Sequence, residues 1–203
     1  MHTHIARVPM IAMLALSFHI SSSVVYAGPL EDGQAAYERG DYATALQQFR
    51  PLAEQGNASA QNDLGWMYSQ GNGVNQDFKE AMKWYRLAAE HGSARAQYNL
   101  GVMYHQGSGI PKNLQEAMKL YRMAATQGDA QAQYNLGFMY ANGEGVPKDV
   151  LRGYMWWNIA AEQGNATAWA SLDGISHMMT KQQIANAKAM AQTCKASNYK
   201  QCG

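Results

Sequence analysis

Charge is scarce in this 203-residue chain: 15% of residues are Asp, Glu, Lys or Arg, and 16 bases nearly cancel 15 acids. A net charge of +1 leaves no basic footprint for nucleic acid, and there is no acidic tail. Cysteine is scarcer still. Two cysteines cannot build a disulfide miniprotein or a four-thiolate zinc site. Beyond residue 27 the histidines are His91, His105 and His177, too scattered to share a catalytic or metal-ligand spacing. No metal and no cofactor is expected. The carboxylates fall mostly at helix caps or on solvated faces, so acid–base catalysis finds no support. The residues define no enzyme.

Long apolar runs are also missing, with one exception. Val8–Ile20 is a largely apolar stretch of 13 residues, preceded by Arg7 and followed by Ser21–Ser23 and the small-residue site Val25-Tyr26-Ala27. That order is the order of a secretory signal peptide. An uncleaved anchor is the alternative, and the run is short for a bilayer span. Cleavage is expected after Ala27, leaving 203 − 27 = 176 residues with no transmembrane segment and no cysteine at the cut for a lipid anchor. The mature chain is expected in the periplasm or secreted.

What the chain has in abundance is itself. Leu64-Gly65, Leu100-Gly101 and Leu136-Gly137 recur every 36 residues, as do Met67-Tyr68, Met103-Tyr104 and Met139-Tyr140. Aligned without gaps, 57–92, 93–128 and 129–164 share 12 identical columns of 36, which identifies three copies of one unit. Each copy reads as two helices. In the first copy Ala60, Leu64 and Met67-Tyr68 mark one apolar helical face. Gly71-Asn72-Gly73 then permits a left-handed exit and a reversal. Asp77 is placed to cap the second helix, with Glu80 three residues on as in a capping box; Asn113 and Glu116 repeat this, while Arg152 after Asp149 loses the box. The second helix carries Ala81, Trp84-Tyr85 and Ala88-Ala89 and stops at Gly92.

Gly65, Gly101 and Gly137 sit inside helices, where glycine costs about 1 kcal/mol relative to alanine. Their recurrence predicts a close helix–helix approach, with the Ala88-Ala89 pairs and their equivalents offering the opposite side.

The pattern A-x-A-Q-x-x-L-G-x-M-Y-x-x-G-x-G-V followed by D-x-x-x-A-x-x-W-Y-x-x-A-A-E-x-G resembles the Sel-one-like repeat (SLR) family, relatives of the tetratricopeptide repeats. The resemblance covers 57–164. It implies an all-α fold, an α/α right-handed solenoid of stacked helix-turn-helix repeats. The third copy departs from the pattern at Gly153 and Trp157. Residues 28–56 read as an N-terminal tetratricopeptide-like helix pair. Residues 165–203 read as a degenerate repeat, a last helix opened by a Thr180/Gln183 capping box, and a tail.

Cys194 and Cys202 lie eight positions apart, and an oxidising compartment favours a bond between them. Some secreted members of the family carry cysteines at that spacing within their repeats; here only the tail has it. Ser197-Asn198-Tyr199-Lys200 matches the S-x-x-K of penicillin-recognising enzymes, but no K-T-G or S-D-N accompanies it. A β-lactam- or peptidoglycan-directed hydrolase is thus a minor alternative. Arg39-Gly40-Asp41 reads as a helix end and a helix cap, and Asn57 and Asn165 as helix starts within sequon-like triplets.

Within the first helix of each unit the variable residues share a stripe distinct from the packing face. The resemblance implies that these helices line a concave surface where a protein or peptide partner binds. The candidates are Trp66, Tyr98, His105, Gln106, Tyr134, Phe138 and Asn142; packing between units is their competing use. Charge is uneven along the chain. Residues 28–63 hold six acids and two bases, whereas 174–203 hold Lys181, Lys188, Lys195 and Lys200 and no acid. Weak head-to-tail self-association is a second alternative. The expectation is an exported scaffold that binds a protein or peptide of the cell envelope or the space outside it.

Overall fold

A computed structural model of the chain describes residues 28–202. The signal peptide expected at 1–27 lies outside the described residues. Among the described residues there are ten helices and no strands. They run in pairs: α1 (Pro29–Glu38) with α2 (Tyr42–Glu54), α3 (Ala58–Gln70) with α4 (Phe78–Glu90), α5 (Ala94–Gln106) with α6 (Leu114–Thr126), and α7 (Ala130–Asn142) with α8 (Val150–Glu162). Each second helix then packs on the first helix of the next pair. The result is the α/α solenoid. No described helix is long and apolar enough to cross a membrane.

Short polar side chains set the helix starts. Asn57, Ser93, Asp129 and Asn165 each accept the backbone N–H three residues on, opening the first helix of successive units. Asp77 and Asn113 cap α4 and α6 as expected, yet the reciprocal half of the box is not formed. Glu80 and Glu116 turn outward to Lys83 and Lys119 one helical turn on, at 3.3 and 3.2 Å. Arg152 reaches back to Asp149, its own cap, at 3.2 Å.

The two glycines of each turn do different things. Gly71, Gly107 and Gly143 end the first helices in the left-handed conformation. Gly73 also has a positive φ, and a Cβ there would stand 2.7 Å from Cβ of Tyr42. Gly109 and Gly145 bear the same relation to Phe78 and Leu114. The turn of each unit therefore rests on the first residue of the preceding second helix.

The mid-helix glycines are a close approach, as expected, but the opposing surface is aromatic. A Cβ on Gly65 would meet the Tyr85 ring, one on Gly101 the Tyr121 ring, and one on Gly137 the Trp157 indole. The Ala88-Ala89 pair is not the opposing surface: Ala88 is buried with Ala96 and Leu100 of the following helix.

Polar ladders bind the units together. Gln61, Gln97 and Gln133 are buried, and each donates to a carbonyl of the preceding second helix: Ala53, Ala89 and Ala125. Each also meets the residue that ends its own unit's second helix, His91, Gln127 or Gln163. Arg50, Arg86 and Arg122 donate to the hydroxyls of Tyr68, Tyr104 and Tyr140.

The regularity stops after α8. Helix α9 (Ala166–Ser176) packs on α8, but α10 (Lys181–Ala196) folds back onto α8 instead of pairing closely with α9. Ala191 and Cys194 of α10 are buried beside Met155, Trp156 and Ile159. Thr180 and Gln183 form both halves of a capping box.

Candidate functional site

The first helices α1, α3, α5 and α7 line one face of the stack, and at its amino-terminal half they enclose a groove of about 560 Å³. Helix α1 contributes Gln34, Tyr37 and Glu38, and α3 contributes Asn62, Asp63 and Trp66. Helix α5 adds Arg95, Tyr98 and Asn99, while Gln131 of α7 and its cap Asp129 close the far side.

Its side chains are held by one another. The Trp66 indole N–H donates to the Tyr37 hydroxyl at 2.7 Å, and Asn72 donates to the same oxygen at 2.7 Å. Asn99 donates to Asn62 Oδ1 at 3.0 Å, and Asn62 donates to Asp63 Oδ1 at 3.0 Å. Gln34 donates to the other Asp63 oxygen, Oδ2, at 3.3 Å. An amide chain thus crosses from α1 to α5 with its carboxylate fixed in place, while Trp66 remains 41% exposed. Burial pushes the Tyr98 hydroxyl above the usual tyrosine range; Asp129 adds to that, and a hydrogen bond with Asn135 opposes it. Tyr98 is therefore a neutral hydrogen-bonding group at physiological pH.

Of the seven residues singled out from the sequence, the groove gathers Trp66 and Tyr98. His105 is a brace between units: its Nε2 lies 2.8 Å from Glu144 in the next turn, and its Nδ1 lies 3.3 Å from the Tyr121 hydroxyl. Tyr134 is half-buried, stacked on Trp157, whose indole N–H donates to its carbonyl at 3.1 Å. Gln106, Phe138 and Asn142 are exposed further along the stack and do not line the groove. Tyr37, Asp63 and Asn99 were missed. The signal for Asp63 was its departure from Asn99 and Asn135 at the equivalent position; Tyr37 lies outside the repeat and carried none.

The tail closes as a disulfide between Cys194 and Cys202, with Cα atoms 4.6 Å apart. Ser197 ends α10, donating to the Cys194 carbonyl at 2.8 Å and accepting the Gln201 N–H at 2.9 Å. Its hydroxyl is thus used in shaping the tail, while Lys200 points to solvent.

The Sel1 repeat family matches residues 58–93, 94–129 and 130–165. Among solved structures, a Sel1 repeat protein from Oxalobacter formigenes is 37% identical with a TM-score of 0.67, covering 72% of this chain and 60% of its own. A protective antigen present in uropathogenic Escherichia coli strains, displaying an SLR fold, is 40% identical with a TM-score of 0.68. That match covers 72% of this chain and 32% of the antigen. This chain therefore spans less than two thirds of either relative. No curated protein matches it.

Proposed function

The chain belongs to the Sel1 repeat family, and we propose that it is an exported, non-catalytic scaffold that binds a protein or peptide in the groove of α1, α3, α5 and α7. The observation that carries this reading is the exposed Trp66 beside the half-buried Tyr98 in a cavity of about 560 Å³ crossed by a fixed amide chain. Aromatic anchors supply apolar area, and amides supply donors and acceptors for a peptide backbone. Because the chain of hydrogen bonds fixes these groups before binding, little ordering entropy is lost when a partner arrives. Export to the periplasm or beyond is supported by the signal-like order of residues 1–27 and by the Cys194–Cys202 bond, which suits an oxidising compartment.

The test is capture from envelope extract by the exported protein and two variants of unchanged helicity and melting. Trp66→Ala/Asn99→Ala removes groove contacts; Gln106→Ala/Phe138→Ala/Asn142→Ala alters the same face beyond the groove. A partner held by wild type and by the second variant, and lost by the first, is the expected result. Loss only with the second variant would move the site along the stack. Equal capture by all three would take binding off this face.

A further inference from the structure

We infer, resting on the groove reading above, that the occupant is a peptide segment of a partner protein bearing a lysine or arginine side chain. The groove is lined by three carboxylates, Glu38, Asp63 and Asp129, against the single guanidinium of Arg95, an excess of two negative charges. Among the described residues none of these four groups is in a salt bridge. Arg95 offsets one of these charges, and the remaining excess is left to solvent or to a bound cation.

The carboxylate at position 63 is not demanded by the fold. Asn99 and Asn135 occupy the equivalent positions of the next two units, so the stack accommodates a neutral amide there. Asp63 accepts from Asn62 and Gln34, which fixes both oxygens and leaves lone pairs free for an incoming donor. Asp129 gives one oxygen to the α7 cap and keeps the other. The aromatic lining suits the same guest: Tyr37, Trp66 and Tyr98 offer apolar surface to the alkyl stem and π-density to the charged head. Asn99, held by the buried Asn62, and the exposed Gln131 stand beside them as partners for the guest's backbone.

The experiment uses fluorescence anisotropy with three labelled, end-blocked hexapeptides, identical except for two central residues: arginines, glutamines or glutamates. The neutralised variant is Glu38→Gln/Asp63→Asn/Asp129→Asn. Asp129→Asn keeps the cap, since Asn57, Asn113 and Asn165 cap helices in this same chain. The arginine peptide is expected to bind wild type about tenfold more tightly than the glutamine peptide, an advantage lost in the neutralised variant and weakened by salt. Equal binding of the arginine and glutamine peptides, both abolished by Trp66→Ala, would overturn the charge preference and leave the groove reading standing. Preference for the glutamate peptide would overturn it in favour of Arg95 as the reader. Undiminished arginine-peptide binding by the neutralised variant would place the cation elsewhere. Binding of no peptide would also overturn it, and the groove reading would then stand or fall on the capture experiment. Concentration-dependent mass of the protein alone, lost in the neutralised variant, would replace the partner's peptide with a second copy's basic end.

Discussion

The ring of Tyr85 occupies the space that a side chain at Gly65 would need: a Cβ there would stand 2.8 Å from Cδ1 and 2.9 Å from Cε1. Two effects oppose each other in Gly65→Ala. Helix propensity favours alanine by about 1 kcal/mol, whereas overpacking a tight core costs about 1–3 kcal/mol. The ring is buried and cannot swing away cheaply, so overpacking wins, and a net loss of up to about 2 kcal/mol is expected. Gly174 is the control. It is helical and exposed, with nothing within 4 Å of its Cβ position, so Gly174→Ala should gain up to about 1 kcal/mol. Urea midpoints of the two variants shifting in the same direction would refute the packing explanation.

The glycine contact shows both what could be read from the sequence and where reading stopped. A glycine kept three times at one helical position revealed that something comes close, because only a missing Cβ explains its repetition. Which group comes close does not follow from the repeat pattern. Alanines are the natural partner of a glycine, but the Tyr85 ring fills the gap, and Ala88 is buried with Ala96 and Leu100 of the next helix. The cap positions and the double-glycine turn are readable because they are local and recur at the same place in each of the three repeats. The groove is not, because it depends on differences between units and on α1, which lies outside the repeat. Tyr37 and Gln34 enter it only once the stack brings α1 beside α3. His105 belongs to the same stripe as Trp66, yet Glu144 in the next turn draws it into a brace; Asn72 and Ser108 occupy that turn position in the other units.

Gln133 is wholly buried, donating to the Ala125 carbonyl at 3.1 Å and accepting from Gln163 at 2.6 Å. Gln133→Leu keeps the approximate volume and removes both bonds, leaving the carbonyl and the Gln163 amide without their partner. The expected loss is about 1–3 kcal/mol, the cost of unsatisfied buried groups. Gln163 sits at the exposed helix end, so Gln163→Ala should cost less, and the double variant should fall short of the sum. Strict additivity in chemical denaturation would show that the two amides do not act together.

Alkaline pH should unfold the stack through its buried tyrosines. Burial raises the Tyr85 and Tyr121 hydroxyls well above their ordinary range; a Ser69 hydrogen bond partly offsets this at Tyr85, and one from Asn135 does so at Tyr121. In the unfolded chain these groups ionise near pH 10, whereas in the folded chain they keep their protons. The folded state then binds more protons than the unfolded one, so stability is intact below about pH 10 and declines above it. Each tyrosine contributes a slope of about 1.4 kcal/mol per pH unit in that window. Tyr121→Phe should flatten the decline by one such increment in urea titrations at several alkaline pH values. An unchanged slope would mean that Tyr121 ionises as readily in the folded protein as in water.

Reduction of Cys194–Cys202 should loosen one end of the molecule and spare the other. Closing so short a loop stabilises by about 2.5 kcal/mol on the chain-entropy model. The bond also holds the tail against α10, whose Ala191 and Cys194 are buried in the same cluster as Trp156 of α8. Trp156 is 2% exposed, so detachment of α10 would wet its indole and shift its emission to the red. Helices α1 to α4 lie outside the cluster that holds the disulfide, and stability in a stack of this kind is a sum of nearest-neighbour terms. Cys194→Ser/Cys202→Ser should therefore lower amide-exchange protection in α8 and α10 while leaving α3 and α4 unchanged. Protection falling equally in α3 and α10 would instead show that the stack unfolds as a single cooperative unit, with the disulfide stabilising all of it.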